Sequence, residues 1–144
     1  MKIISHRGNI NGQELLTENT PEAIDRAIDR FGMDVEIDVW MVDGKFMIGH
    51  DFGAYEVNLD FFINRAEKLW IHCKNLEALT RLGNFKDLNI FWHEEDTYTL
   101  TSKGYIWAYP GVDKNECVVE VNLSGDIKDT YPFAVCTDYP IKFI

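Results

Sequence analysis

Helical periodicity is confined to the first half of this chain, and that asymmetry limits the folds open to it. Thr20-Pro21-Glu22 supplies an N-cap and a proline at the first helical position. Ala23, Ile24, Ala27, Ile28 and Phe31 follow at helical spacing until Gly32, which can end the helix. Shorter helices are expected over 59–66, starting near Asn58 or Asp60, and over Leu76–Leu82, stopped by Gly83. Strand-like runs alternate with them at 2–5, 34–40, 45–49, 69–74 and 89–93, and Asp43-Gly44 marks a hairpin between the second and third. Beyond His93 only the strand candidates 105–109, 117–121 and 133–136 remain. Turn-rich segments through Gly104, Pro110-Gly111, Ser124-Gly125 and Pro132 join them.

Alternating β and α units build parallel sheets covered by helices. A full eight-fold β/α barrel needs about 200–250 residues, and this chain has 144. The expected fold is therefore α/β: one domain over 1–144, a compact, shortened TIM-like barrel with helices lost in its second half. A small open α/β sheet fits the same pattern.

The net charge of −10 disfavours nucleic-acid backbones and anionic membranes as partners. No apolar run approaches the roughly 20 residues of a membrane span, and the first ten residues, MKIISHRGNI, lack a signal-type apolar region. Cys73, Cys117 and Cys136 show no metal-type spacing and read as free thiols in a reducing, cytoplasmic setting. A shortened sheet would leave edges that a partner subunit could cover, so a homodimer is one expectation.

Ionisable residues gather where strand candidates end: His6-Arg7, Glu36 and Asp38, His50-Asp51, His72 and Lys74, His93 to Asp96, and Asp138. In parallel α/β folds ligands sit at the carboxyl ends of strands. Glu36 and Asp38 are two residues apart, so they share one face of a strand, with Trp40, opposite Val35, Ile37 and Val39. Two carboxylates on one buried face repel unless a cation joins them, and oxygen donors suit a hard divalent ion, Mg²⁺ or Ca²⁺. The short hairpin would return His50 to the same place, where it and His6 could act as an acid/base pair. Each piece also has a plainer reading: a solvated strand face for the carboxylates, a turn for His50-Asp51, a hydrogen-bonded core histidine for His72.

His6-Arg7-Gly8 after the first strand, ENTPEAI at the first helix, VEIDV in the second strand and DGKFMIGHD in the hairpin together resemble the glycerophosphodiester phosphodiesterase family. That family is related to the phosphatidylinositol-phospholipase-C-like phosphodiesterases. The resemblance runs through residues 3–51, resumes weakly at WIHCKN and ends at AVCTDYP; residues 84–130 have no clear counterpart. It implies a metal-dependent phosphoric diester hydrolase. His6 and His50 would be the catalytic acid and base, Arg7 and Lys74 the phosphate contacts, Glu36 and Asp38 metal ligands, and Glu18 a supporting residue with Asn19 beside it. The family's third ligand is a carboxylate where this chain has His72, so His72 or Glu94 completes the set, or water does and the metal is weakly held. Trp92, Trp107 and Tyr109 are candidate pocket walls. The substrate would be a small phosphodiester of glycerophosphodiester, saccharide-linked or lipid-linked type. The alternatives are a phosphate-binding relic without turnover and an interaction protein whose polar cluster is a solvated rim.

Overall fold

The computed structural model describes residues 1–127 and 132–144. The connection through residues 128–131, part of the turn-rich segment expected before Pro132, lies outside the described residues.

Ten strands form one mixed sheet: β1 (Lys2–His6), β2 (Asp34–Val42), β3 (Lys45–Ile48), β4 (Tyr55–Val57), β5 (Leu69–Cys73), β6 (Asn89–Phe91), β7 (Tyr98–Leu100), β8 (Ile106–Ala108), β9 (Val118–Val121) and β10 (Ala134–Thr137). Among the described residues three α-helices accompany them: α1 (Pro21–Asp25), α2 (Leu59–Ile63) and α3 (Leu76–Leu82). Thr20, Asn58 and Asn75 cap these helices, each side chain accepting from the backbone three residues on. Helix α1 runs into a π-helical turn over Arg26–Arg30, and a 3-10 turn, Pro140–Phe143, closes the chain. None of the three α-helices is long and apolar enough to cross a membrane.

The helix-covered β/α barrel expected from the sequence does not form. The α-helices are only five, five and seven residues long, and all precede β6. Among the described residues no α-helix follows β6. What forms instead is an open, mostly β architecture. A parallel run, β6-β5-β2-β1-β10-β9-β8, carries antiparallel partners β3 and β4 on one side and β7 on the other.

The run curls until its ends approach. Phe91 on β6 and Trp107 on β8 have ring centroids 4.8 Å apart. No strand ladder joins β6 to β7 or β8 among the described residues. Isolated bonds span the seam: Ser102 N donates to Ile90 O (2.7 Å), Ile90 N donates to Ser102 Oγ (2.9 Å), and Thr99 Oγ1 donates to Trp92 O (2.9 Å).

Alternation along the strands separates two cores. Val35, Ile37, Val39, Leu69 and Ile71 face outward and pack beneath Ile24, Phe62, Ala78 and Leu82 from the helical segments. Ile4, Trp70, Phe91, Trp107, Val119, Ala134 and Cys136 fill the concave side. Asp34 lies at the N-terminal end of this interior, 3.1 Å from Lys2 Nζ and 3.5 Å from Lys68 Nζ, and accepts the Trp70 indole N–H at 3.0 Å. All three cysteines are free; Cys73 and Cys136 are buried and Cys117 is exposed. Burial pushes the Cys73 thiol up to about 12 and that of Cys136 well above its ordinary value, so both stay protonated and inert.

Candidate functional site

The site follows from how β2 shares its edges. Along its first half one edge pairs with β1, His6 lying opposite Glu36. Strand β1 then ends, and β3 takes over the same edge, Ile48 lying opposite Val39. The carbonyl of Glu36 accepts from Arg7 N (2.8 Å), and the next outward carbonyl, Asp38, accepts from Gly49 N (3.0 Å). The first-strand motif and the hairpin return are thus fixed two residues apart on one strand. Trp40 reinforces this, its indole N–H donating to Gly49 O at 2.7 Å. On the opposite edge, Asp38 lies beside His72 in register.

Glu36, Asp38 and His72 are all buried, and one ligand atom from each lies within 4.8 Å of the others. His72 Nδ1 is 3.2 Å from Asp38 Oδ1 and 3.9 Å from Glu36 Oε1. Donor atoms on one six-coordinate ion at about 2.1 Å lie about 3–4 Å apart, so this spacing fits a cation. Two further observations fit it. Glu36 Oε2 and Asp38 Oδ1 are buried without a hydrogen-bond partner among the described residues, a costly state for a carboxylate unless something else satisfies it. His72 Nε2 lies 3.4 Å from the His93 carbonyl oxygen, which can only accept. With the proton on Nε2 the neutral ring presents the Nδ1 lone pair to the carboxylates; with it on Nδ1 the ring donates to Asp38 Oδ1 at 3.2 Å.

The carboxylates are electrostatically unequal. Burial, with the charge of Asp38, holds the Glu36 carboxyl above its ordinary pKa. Burial also disfavours the Asp38 anion, but contacts from His50 and His72 and the charge of Arg7 outweigh it and hold Asp38 well below the carboxylate range. Arg7 Nε lies 3.1 Å from Asp38 Oδ2, and Asn19 Nδ2 donates to the same oxygen at 3.0 Å. Asn19 Oδ1 accepts from the Asp38 backbone N–H at 3.1 Å.

His6 is held by a partner the sequence left without a role. Its Nδ1 lies 2.7 Å from Asp138 Oδ1, and its Nε2 is 3.7 Å from Glu36 Oε2. Strand β10 pairs in parallel with β1, Ser5 opposite Thr137, which brings Asp138 to the His6 ring. Burial would lower the His6 pKa, but the Asp138 hydrogen bond and the charge of Glu36 hold it above its ordinary value. Asn9 Nδ2 donates to Asp138 Oδ1 (2.9 Å) and to Glu18 Oε2 (3.3 Å).

His50 is half-buried. Its Nδ1 is 3.6 Å from Asp38 Oδ2. Its Nε2 lies 3.4 Å from Arg7 Nη2, from which it can only accept, and 3.6 Å from Asp51 Oδ1. Arg7 Nη1 reaches Glu18 Oε1 at 3.3 Å.

The structure therefore gathers His6, Arg7, Glu18, Asn19, Glu36, Asp38, His50 and His72 around one point. His72, rather than Glu94, completes the carboxylate pair: Glu94 is exposed, and its backbone N–H engages Asp96. Lys74 directly follows β5 and makes no ion pair among the described residues. Trp107 is buried and packs on Phe91 and Trp70, beneath the ionisable layer. Trp92 and Tyr109 are exposed, at 37% and 52%. A more apolar groove of about 550 Å³, lined by Tyr98, Leu100, Ile106 and Val118, contains none of the site residues.

Asp138, Asn9 and His93 were missed as functional residues, although Asp138 and His93 stand among the strand-end groups. Only the parallel register of β10 on β1 reveals Asp138, and no local spacing carries that register. Comparison of the chain with protein-family models, curated proteins and solved structures finds no match.

Proposed function

We propose that the chain is a divalent-cation-dependent phosphodiesterase of the glycerophosphodiester type, using His6 and His50 as acid and base. The observation that carries this reading is the coexistence, around one point, of a buried carboxylate pair and two histidines held by separate partners, His6 by Asp138 and His50 by Arg7.

Glu36, Asp38 and His72 would hold the cation, which when bound lowers the charge of the phosphate group. Arg7 is positioned to contact a non-bridging phosphate oxygen, and Lys74, free of ion pairs among the described residues, supplies a second positive charge. His50 Nε2, unprotonated against Arg7, takes the proton from the attacking hydroxyl, either a vicinal hydroxyl of the substrate or water. That oxygen bonds to phosphorus as the ester P–O bond breaks. His6 gives its Nε2 proton to the departing alkoxide, and Asp138 stabilises the imidazolium from the other side of the ring. Glu18 and Asn9 tie the Arg7 and Asp138 contacts together. The exposed Leu15, Leu16 and Trp92 border loops that follow β1 and β6, and they support a substrate with an apolar or saccharide portion beside its phosphate.

The test is release of alcohol from bis(p-nitrophenyl) phosphate and glycerophosphocholine across a panel of divalent ions. Turnover that requires a divalent ion and is abolished in both histidine variants supports the reading. Binding of phosphate without turnover under any ion would leave the phosphate-binding relic.

A further inference from the structure

We propose that the cation centre is selective for a borderline later first-row dication, of the Co²⁺ or Zn²⁺ class, and that His72 rather than a carboxylate sets this preference. The inference rests on the proposed cation site and narrows the Mg²⁺ or Ca²⁺ expected from its carboxylates.

The argument is one of donor chemistry. Mg²⁺ and Ca²⁺ favour all-oxygen donor sets, whereas imidazole suits the later first-row ions. Here one of three buried donors is an imidazole nitrogen, and it is presented as a ligand atom. The His93 carbonyl oxygen lies 3.4 Å from His72 Nε2 and accepts from it when the proton is there. A backbone carbonyl behind the distal nitrogen of a metal-binding histidine fixes both tautomer and ring orientation. The ring cannot easily turn away. It is stacked on Phe91 (centroids 5.2 Å, 5° between planes) and on His93 (4.4 Å, 9°). Nδ1 stands 3.2 Å from Asp38 Oδ1 and 3.9 Å from Glu36 Oε1, the spacing that ligand atoms of one ion take. Burial of His72 and of both carboxylates excludes a loosely hydrated surface site.

Binding can be read without substrate. Metal-free protein is titrated calorimetrically with Mn²⁺, Co²⁺, Zn²⁺, Mg²⁺ and Ca²⁺, beside His72→Glu and the double variant Glu36→Gln/Asp38→Asn. Most nitrogen- and oxygen-containing sites prefer the later first-row ions, so the deciding quantity is the change in preference. His72→Glu is expected to lower the Zn²⁺-to-Mg²⁺ and Co²⁺-to-Mg²⁺ affinity ratios by about tenfold or more; unchanged ratios overturn the inference. Pulsed electron paramagnetic resonance of the Mn²⁺-loaded wild type gives a second readout that does not depend on His72→Glu folding. It is expected to show a directly bound imidazole nitrogen, lost in His72→Gln and kept in His6→Gln. Absence of that coupling in a protein that binds Mn²⁺ through Glu36 and Asp38 sinks this inference alone. If no dication binds, or if binding survives the double variant, the proposed cation site falls with it.

Discussion

Arg7 and Asn19, twelve residues apart in sequence, are joined by a backbone hydrogen bond from Asn19 N to Arg7 O (2.8 Å), and both take left-handed backbone conformations, φ 58° and 62°. Such conformations are uncommon for residues with a Cβ and gather where function needs them. Here the two strained residues aim their side chains at one oxygen, Asp38 Oδ2. Asn19→Ala removes the bond to that oxygen and the acceptor for the Asp38 N–H, both buried. It is expected to cost about 1–3 kcal/mol in urea denaturation and to raise the cation concentration needed for activity.

The catalytic assignment is tested directly by His6→Ala and His50→Ala. Each is expected to lower turnover about 10²–10⁴-fold with an unchanged circular dichroism spectrum. Wild-type activity in either variant would remove that residue from the mechanism.

Asp138→Asn tests the positioning of His6. In metal-free protein the His6 ring, followed by NMR, is expected to titrate at lower pH in the variant than in the wild type, because the charge holding the imidazolium is gone. The stability sign follows. The raised His6 pKa contributes stability that is fully present below about pH 6.5 and is lost as pH rises through the folded value. Asp138 is lowered in the fold: burial opposes its ionisation, but the His6 contacts and Asn9 prevail. Its contribution is present above about pH 4 and is lost as pH falls through its folded value. Wild-type and Asp138→Asn proteins should therefore differ most in stability between these limits.

Glu36→Gln separates stability from function. A raised carboxyl pKa means that ionised Glu36 destabilises the metal-free fold as pH rises. With chelator at pH 7 the variant is expected to be more stable than the wild type by about 0.5–2 kcal/mol. Adding Mn²⁺ should reverse the order, because only the wild type gains from binding. A variant less stable than the wild type in chelator would show that the carboxylate is satisfied by the protein itself.

Gly8 sits at φ +81°, and a Cβ there would lie 2.9 Å from the Ala23 backbone carbon of α1. Gly8→Ala therefore meets both a strained backbone and a rigid neighbour. It is expected to lower stability by about 1–3 kcal/mol and to displace Arg7, with the KM for substrate rising more than kcat falls.

Local chemistry was legible in the sequence wherever it acts over a few residues. The Thr20 cap, the helix Leu76–Leu82 and the Asp43-Gly44 hairpin form as their residues direct. The alternation of Glu36 and Asp38 against Val35, Ile37 and Val39 likewise places the carboxylates inside. The helical cover was not legible. The run from Ala23 to Phe31 has helical spacing, yet α1 ends at Asp25 and gives way to a π turn, and the run expected over 59–66 stops at Ile63. Strands β4 and β7 were missed as well. Each has only three residues and is held mainly by a partner strand, so its own sequence carries little periodicity. The Asp138–His6 pair depends on a register set 132 residues apart in the chain.

The aromatic and aliphatic floor formed by Ile4, Trp70, Phe91, Trp107 and Val119 has a consequence for molecular traffic. It plugs the concavity directly below the charged layer, with Asp34 and its two lysines beneath. If the proposed diester reaction takes place in the charged layer, the floor keeps reactant and both products on the upper side, so a large departing alcohol would delay the next arrival until it diffuses away.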